Sequence, residues 1–415
     1  MNDWNERSPL LVTCPRGMSP YLAEEFRALG LDDPSASGLT ELDLGVRAEG
    51  TLTDAMRLCL RSRLGHKVLW EVARFQAKDP DWLYRNARKV PWERWIAPDG
   101  YVSVSCAAHT DAVANTMFAS LKVKDAIVDR MRQETGQRPD AGREQKGVAV
   151  FLHWERSKAT LYLDCAGEPL ARRGYRVSPH KAPLQETLAA CIVLASGYSR
   201  GHFVNPMCGS GTLAIEAALL ATGRAPGSLG RDFAFRHLRD FPARVWQDLL
   251  EDARLDVHDD PGGRIIATDV DPGAVEAARR NAERAGVAGM IEFGVCDFRE
   301  TDVPDPEGTP GVVALNPEYG MRLGADKPLE ALYGQIGDFL KQRCRGYLGA
   351  VFTGNPALGK CVGLRTSRRI PLWNARIECR LLTYELYGGT RKAGRPGNGP
   401  GNGPGDDPEE GGGAA

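Results

Sequence analysis

The stretch Asn316-Pro317-Glu318-Tyr319-Gly320 holds residue types that suit chemistry on an amine. The Asn316 side-chain oxygen and the Pro317 carbonyl can accept both hydrogens of an amino group. That points the nitrogen lone pair at an electrophilic carbon, in line for displacement, and needs no metal. Tyr319 can stack on a base held outside its helix or loop. An Asn-Pro dipeptide is also a common turn after a strand, so the surroundings decide. Asn205, Asp269 and Asp297 each end a short apolar run that reads as a strand. Asp269 can take two hydrogen bonds from ribose hydroxyls, Asp297 can meet an adenine amino group, and Phe298 beside it offers a stacking face. A lone acid at such a place is more often a helix cap, as Asp271 reads. Polar groups at four successive strand ends favour a nucleoside site.

The segment that must position them is Phe203-Val204-Asn205-Pro206-Met207-Cys208-Gly209-Ser210-Gly211-Thr212, followed by the apolar run to Leu220. It reads as a strand, a tight turn and a buried helix, the first unit of an open α/β sheet. Gly209 and Gly211 remove side chains where a ligand lies against backbone, and free N–H groups at the helix start face it. Asn205, Met207, Cys208, Gly209, Gly211 and Thr212 are the candidate donor-site residues here. The third glycine of a dinucleotide fingerprint is missing, so NAD is not the natural ligand, and Gly-x-Gly alone also serves a merely tight turn.

At 415 residues and 42% apolar content, the chain predicts two or three domains with full cores. A formal net charge of −1 announces no nucleic-acid partner, so any such partner needs a local basic patch. Ten scattered cysteines without a Cys-x-x-Cys pair read as buried thiols, not a zinc site or a disulfide framework. Met1 to Pro9 lacks a signal-peptide core, and no apolar run approaches a membrane span, so a cytosolic protein is expected.

In chain order, residues 1–50 read as a small α/β unit: strand Leu10–Cys14, a helix within Gly17–Gly30, and one strand over Glu41–Val46. Residues 51–167 read as a second unit, with helices at Asp54–Leu64 and Thr116–Glu134. Its strands are Val68–Phe75, Tyr101–Cys106, Gly147–Trp154 and Ala159–Asp164. Residues 168–388 read as the open α/β domain, with a helix opened by Pro183, an irregular insertion at Gly223–Gly263 holding one amphipathic piece around Val245–Ala253, and a terminal antiparallel pair at Ser367–Leu372 and Arg376–Tyr387. Residues 389–415 are Gly- and Pro-rich and acidic, a tail unable to bury a core.

Arg88, Lys89, Arg94, Lys122, Lys124, Arg130, Arg132, Arg138, Arg143 and Lys146, with Trp82, Trp92 and Trp95 near the first of them, suit a phosphate backbone and unstacked bases. They equally suit a solvated helix face with core tryptophans. Arg172, Arg173 and Arg176 around Gly174 and Tyr175 can hold RNA phosphate across a domain junction, or pack through their stems in a linker.

Asn316-Pro317-Glu318-Tyr319 resembles the Asn-Pro-Pro-Tyr signature of S-adenosyl-L-methionine-dependent enzymes that methylate exocyclic amines. Other stretches extend the likeness: Lys122-Val123-Lys124-Asp125-Ala126-Ile127-Val128-Asp129, Arg173-Gly174-Tyr175-Arg176, Glu186-Thr187-Leu188-Ala189-Ala190, Pro206 to Thr212 and Tyr319-Gly320-Met321-Arg322-Leu323. From Leu10 to Tyr387 the chain resembles the amino-terminal half of the large-subunit ribosomal RNA guanine-N(2) methyltransferases of K/L type. The resemblance implies a ferredoxin-like start, a THUMP RNA-binding module and a Rossmann-like class I methyltransferase. It implies S-adenosyl-L-methionine as donor, RNA (most readily large-subunit rRNA or an assembly intermediate) as partner, and no metal, membrane or obligate protein partner. Lys122, Lys124, Arg172, Arg173 and Arg176 then become RNA contacts. Asn205 stands where the family usually has Asp, and Glu318 where the second proline is usual. A Glu318 carboxylate can accept from guanine N1–H and would repel the bare N1 of adenine. An adenine-N6 methyltransferase and a silent RNA-binding protein of the same fold remain the alternatives.

Overall fold

The computed structural model describes residues 4–32, 38–178, 184–306, 308, 311–320 and 326–387. Pro183, Met321–Leu323 and the 389–415 tail lie outside them.

The amino-terminal part forms one mixed sheet. Its strands are β1 (Ser8–Thr13), β2 (Thr40–Leu42), β3 (Gly45–Gly50), β4 (Lys67–Gln76), β5 (Tyr101–His109), β6 (Asp140–Gly142), β7 (Val148–Glu155) and β8 (Lys158–Asp164). They run in the order β2-β3-β1-β4-β8-β7-β5-β6. Strand β4 pairs with β1 along one edge and β8 along the other, so the sheet passes unbroken across the division drawn at residue 50. The single strand expected over Glu41–Val46 is a hairpin instead. It turns at Asp43-Leu44, because Asp43 is held by Arg16 at 2.6 Å and Gly45 lies where a Cβ would sit 2.4 Å from the Val12 carbonyl oxygen. Helix α1 (Ser19–Ala28) falls within the expected span, and α2 (Leu52–Arg61) overlaps the span expected at Asp54–Leu64 but starts two residues earlier and ends three earlier. Thr51 caps α2 with a reciprocal capping box to Asp54. Helix α3 (Pro80–Ala87) was not expected, although Asp79-Pro80 is an N-cap followed by N1 proline. Helix α4 (Thr116–Thr135) packs beside it.

The second sheet comprises β9 (Phe203–Pro206), β10 (Ile265–Asp269), β11 (Ile291–Val295), β12 (Val312–Leu315), β13 (Leu348–Thr353), β14 (Arg368–Asn374) and β15 (Ile377–Glu385). The order is β11-β10-β9-β12-β13-β15-β14, with the first five parallel and the last two antiparallel. The chain runs outward from β9 to β11 and then returns to the other side of β9 as β12. The order therefore reverses between β9 and β12, and a ligand crevice opens at the carboxyl ends there. Helices α5 (Glu186–Ala195) and α6 (Thr212–Ala221) are apolar almost all round and buried. Helix α8 (Pro272–Arg284) starts on the Asp271 cap as read from sequence. Helices α9 (Asp326–Arg343) and α10 (Pro356–Cys361) complete the layers.

The insertion is ordered and contains α7 (Ala243–Leu255). Phe233, Phe235 and Trp246 form its own aromatic cluster, and Phe235 N–H donates to the Cys165 carbonyl at 3.1 Å. This segment thus binds the two sheets together. Beneath it, Arg173 is 1% exposed. It pairs with Glu216 of α6 at 2.8 Å and donates to the Arg63 carbonyl at 2.5 Å. The Tyr175 hydroxyl donates to the same Glu216 oxygen at 3.0 Å. Removing one partner of a buried pair strands the other charge in a poor solvent. Glu216→Ala is therefore expected to lower unfolding stability by about 3–5 kcal/mol, read by denaturant titration, with Glu216→Gln less affected because it keeps a hydrogen bond to Arg173.

Candidate active site

Strand β9 ends at Pro206, and the chain then turns sharply. Met207 adopts φ 77°, a left-handed conformation that costs a non-glycine residue about 1–2 kcal/mol. The Met207 and Cys208 N–H groups both donate to the Thr268 carbonyl at 2.8 Å, which locks the turn to β10. Cys208 is buried, and burial pushes its thiol well above the usual range. The two glycines do different work. Gly211 (φ 82°) faces α8, and a Cβ there would sit 2.8 Å from the Ala278 Cβ. Gly209 (φ 54°) has open space where a Cβ would point. Only Gly209 leaves room for a ligand. Thr212 begins α6 and is buried.

Asp269 ties this turn to the next strand tip. One oxygen accepts Gly209 N–H at 2.9 Å, and the other accepts Asp271 N–H at 3.0 Å. Each oxygen keeps a further lone pair, which suits ribose hydroxyls. Asp297 is differently engaged. Arg299 grips it with two bonds of 2.8 and 2.7 Å and holds its carboxyl below the usual range. Phe298 is not a stacking face. It is buried, edge-on to Phe339 at 5.8 Å, because the ring gains more by joining the core. The exposed apolar groups at these tips are Val270, 72% exposed, and Val295, 54% exposed. Val270 directly follows the strand-end acid Asp269, a signal visible in the sequence; Val295, two residues before Asp297, carries no such mark.

On the other side of the reversal, Asn205 is fully buried. Its Nδ2 donates to the Ala314 carbonyl of β12 at 2.9 Å, while its Oδ1 has no partner among the described residues. An aspartate here would set a carboxylate against that carbonyl, so the amide has a structural reason. Asn316 likewise has a buried Oδ1 without a described partner. A buried acceptor left unpaired costs roughly 1–3 kcal/mol. Two of them, one on β9 and one just past the end of β12, with Gly209 open on the same edge of the sheet, fit a bound donor and an acceptor amine. Pro317 is buried and Glu318 exposed. The half-buried Tyr319 hydroxyl accepts from Asn374 Nδ2 at 2.9 Å, and burial raises its pKa.

The expected RNA contacts divide. Arg173 is consumed by the buried pair with Glu216. Arg176 faces inward as well: it pairs with Glu186 at 3.0 Å, donates to the Leu184 carbonyl at 2.6 Å, and reaches Ser210 and Thr212 at 3.5 and 3.4 Å. It braces the glycine turn. Asn281 of α8 adds a second brace, donating to the Ser210 carbonyl at 3.1 Å and accepting from Val177 and Ser178 N–H. Arg172 stays at the surface beside Glu168, and Lys122 and Lys124 lie partly exposed on α4 near Asp81 and Asp125. Trp92 and Trp95 are core residues. Trp82 is exposed and, with Arg85, Arg88, Lys89 and Arg130, lines a surface cleft of about 540 Å³.

Among the described residues, no group of three or more His, Cys, Asp or Glu could hold a metal ion, and no helix is long and apolar enough to cross a membrane. A family model described as "RMKL-like, methyltransferase domain" matches residues 173–383, "THUMP domain" matches 77–164, and "RlmL ferredoxin-like domain" matches 9–69. The ribosomal RNA large subunit methyltransferase K/L of Syntrophotalea carbinolica is 40% identical over 385 residues, 90% of this chain. The match covers 53% of that relative, so the chain spans about half the length of the curated proteins it resembles. A possible methylase from Clostridium difficile 630 superposes with a TM-score of 0.82 at 27% identity, over 93% of this chain and all of its own. A putative methyltransferase, SMU.472, crystallised with SAH, gives 0.80 at 24% over 93% of this chain and all of its own, a likeness of fold. The second sheet has the fold of S-adenosylmethionine-dependent methyltransferases, and the chain belongs to the RMKL-like methyltransferase family, carrying the RlmL-type ferredoxin-like and THUMP domains ahead of its catalytic fold.

Proposed function

We propose that this chain methylates the exocyclic amine (N2) of a guanine in large-subunit ribosomal RNA. The observation that carries the reading is the pair of unpartnered buried carboxamide oxygens, Asn205 Oδ1 on β9 and Asn316 Oδ1 just past the end of β12, on either side of the reversal of the sheet. Bound S-adenosyl-L-methionine supplies a methyl group activated by positively charged sulfur. Asp269, the Gly209 face and the exposed Val270 hold the donor's nucleoside. Asn316 Oδ1 and the Pro317 carbonyl take the amine hydrogens and orient its lone pair. The exposed face of Tyr319 supports the base, and Glu318 accepts from guanine N1–H. The name of the Syntrophotalea relative supports rRNA as the substrate. Residues 51–167, through Lys122, Lys124 and the Trp82 cleft, meet the RNA, with Arg172 at the junction.

The decisive experiment incubates the full chain with labelled S-adenosyl-L-methionine and unmodified large-subunit rRNA, followed by mass spectrometry of nucleosides. N2-methylguanosine is expected. N6-methyladenosine would transfer the assignment to adenine, and no product together with no S-adenosylhomocysteine binding in calorimetry would leave an RNA-binding fold.

Three variants sharpen this. Asn316→Ala is expected to slow methylation on the order of 10²-fold with S-adenosylhomocysteine affinity kept. Gly209→Ala should weaken that affinity by about tenfold or more, because its methyl group enters ligand space, while the conformational strain costs stability only about 1 kcal/mol. Glu318→Gln and Glu318→Pro should each erode the preference for guanine over adenine substrates; an unchanged preference in both would remove Glu318 from specificity.

A further inference from the structure

We infer that Asn374 is a positioning residue of the acceptor site, holding Tyr319 from the tip of a hairpin that the amino-terminal sheet clasps. The inference rests on the reading of Asn316–Tyr319 as the acceptor.

Three groups confine Tyr319. Its ring lies against Gly354 just beyond β13: a Cβ on Gly354 would sit 2.8 and 2.9 Å from Tyr319 Cδ2 and Cε2. Ile377 Cγ2 approaches the same point at 3.2 Å. These contacts, at atoms off the ring's long axis, limit its rotation about that axis. The far end is fixed where Asn374 Nδ2 donates to the hydroxyl at 2.9 Å, with the Cys379 thiol beside it. The hydroxyl is the side-chain atom farthest from the backbone, so a bond there sets where the long axis of the ring points, and a base stacked on the ring inherits that placement.

Asn374 is well placed to be rigid. It closes the last pair of the β14–β15 hairpin, opposite Ile377, and Ala375 (φ 54°) makes the turn beyond it. β14 is the terminal strand of the second sheet, yet it is not free. Gly17 lies on its backbone, so closely that a Cβ would be 2.4 Å from the Pro371 carbonyl oxygen. The Arg16 guanidinium lies 5.5 Å from the centre of the Trp373 ring while bound to Asp43. Arg368 donates to the Tyr21 hydroxyl at 3.2 Å. A continuous set of contacts thus runs from the first sheet through Arg16, Trp373 and Asn374 to Tyr319.

The test uses the full chain with Asn374→Ala, Tyr319→Phe, the double variant and Tyr319→Ala, on the rRNA substrate above. Asn374→Ala should lower kcat about tenfold, the cost of a sub-ångström misplacement, with S-adenosylhomocysteine affinity and Tm held at the wild-type values. The double variant should be no slower than Tyr319→Phe, because both remove the same bond. Asn374→Ser, which can still donate through its hydroxyl, should recover part of the rate. Additive losses in the double variant, or a loss of Tm or donor affinity in proportion to rate, would overturn the positioning role. So would a wild-type rate in Asn374→Ala while Tyr319→Ala is slow. A wild-type rate in Tyr319→Ala would instead sink the acceptor reading itself.

Discussion

The carboxamide of Asn205 must serve two masters. It sits fully buried where the strand order of the catalytic sheet reverses, and its Nδ2 closes the gap to β12 through the Ala314 carbonyl. That bond fixes the orientation of the group, so its oxygen, not its nitrogen, is the atom left without a partner among the described residues. Backbone pairing between β9 and β12 reaches only as far as Val204 and Val313. Beyond that point the side chain takes over from the ladder, and the strands can part to form the crevice. The glycine turn on one side and the Asn316 stretch on the other are referred to each other through this one amide.

Much of the positive charge in the junction segment is spent on assembly. Arg173 and Tyr175 converge on Glu216, in the middle of the helix that follows the glycine turn, and Arg176 reaches the turn itself. Arg63, from the first sheet's side, donates to the Leu219 and Arg224 carbonyls around that same helix, and burial lowers its pKa to about 10. The helix is therefore gripped by both halves of the chain. The cations left at the surface lie farther out, on α3 and α4 and at Arg172, where the proposed RNA contact is placed.

The sequence made the periodic features plain. The strands of the catalytic sheet, the Asp271 cap and the terminal antiparallel pair follow from local pattern, and local pattern is what a single chain displays. The failures share a cause. Arg173 looks solvent-facing because its partner, Glu216, lies about 40 residues on and only the fold brings it near; Arg176 pairs with the nearby Glu186, but nothing local shows that it also reaches the turn at Thr212. Phe298 looks like a stacking face because adjacency to Asp297 says nothing about which side of the chain the ring takes. The two candidate glycines look equivalent in sequence. Only the position of Ala278 shows that one is demanded by helix packing and the other by open space. Asn374, 55 positions after Tyr319, carries no local mark of its hydrogen bond.

The clasp on β14 has one more implication. A last strand ordinarily exposes a row of unpaired peptide groups, an invitation to join another molecule's sheet. Here Gly17 and Arg16 lie over it, and Arg369 and Pro371 discourage what remains. Cutting the chain at its apparent domain boundary would strip away that shield. An isolated catalytic half would then be a sticky fragment, prone to self-association, and the leading domain is as much its chaperone as its neighbour.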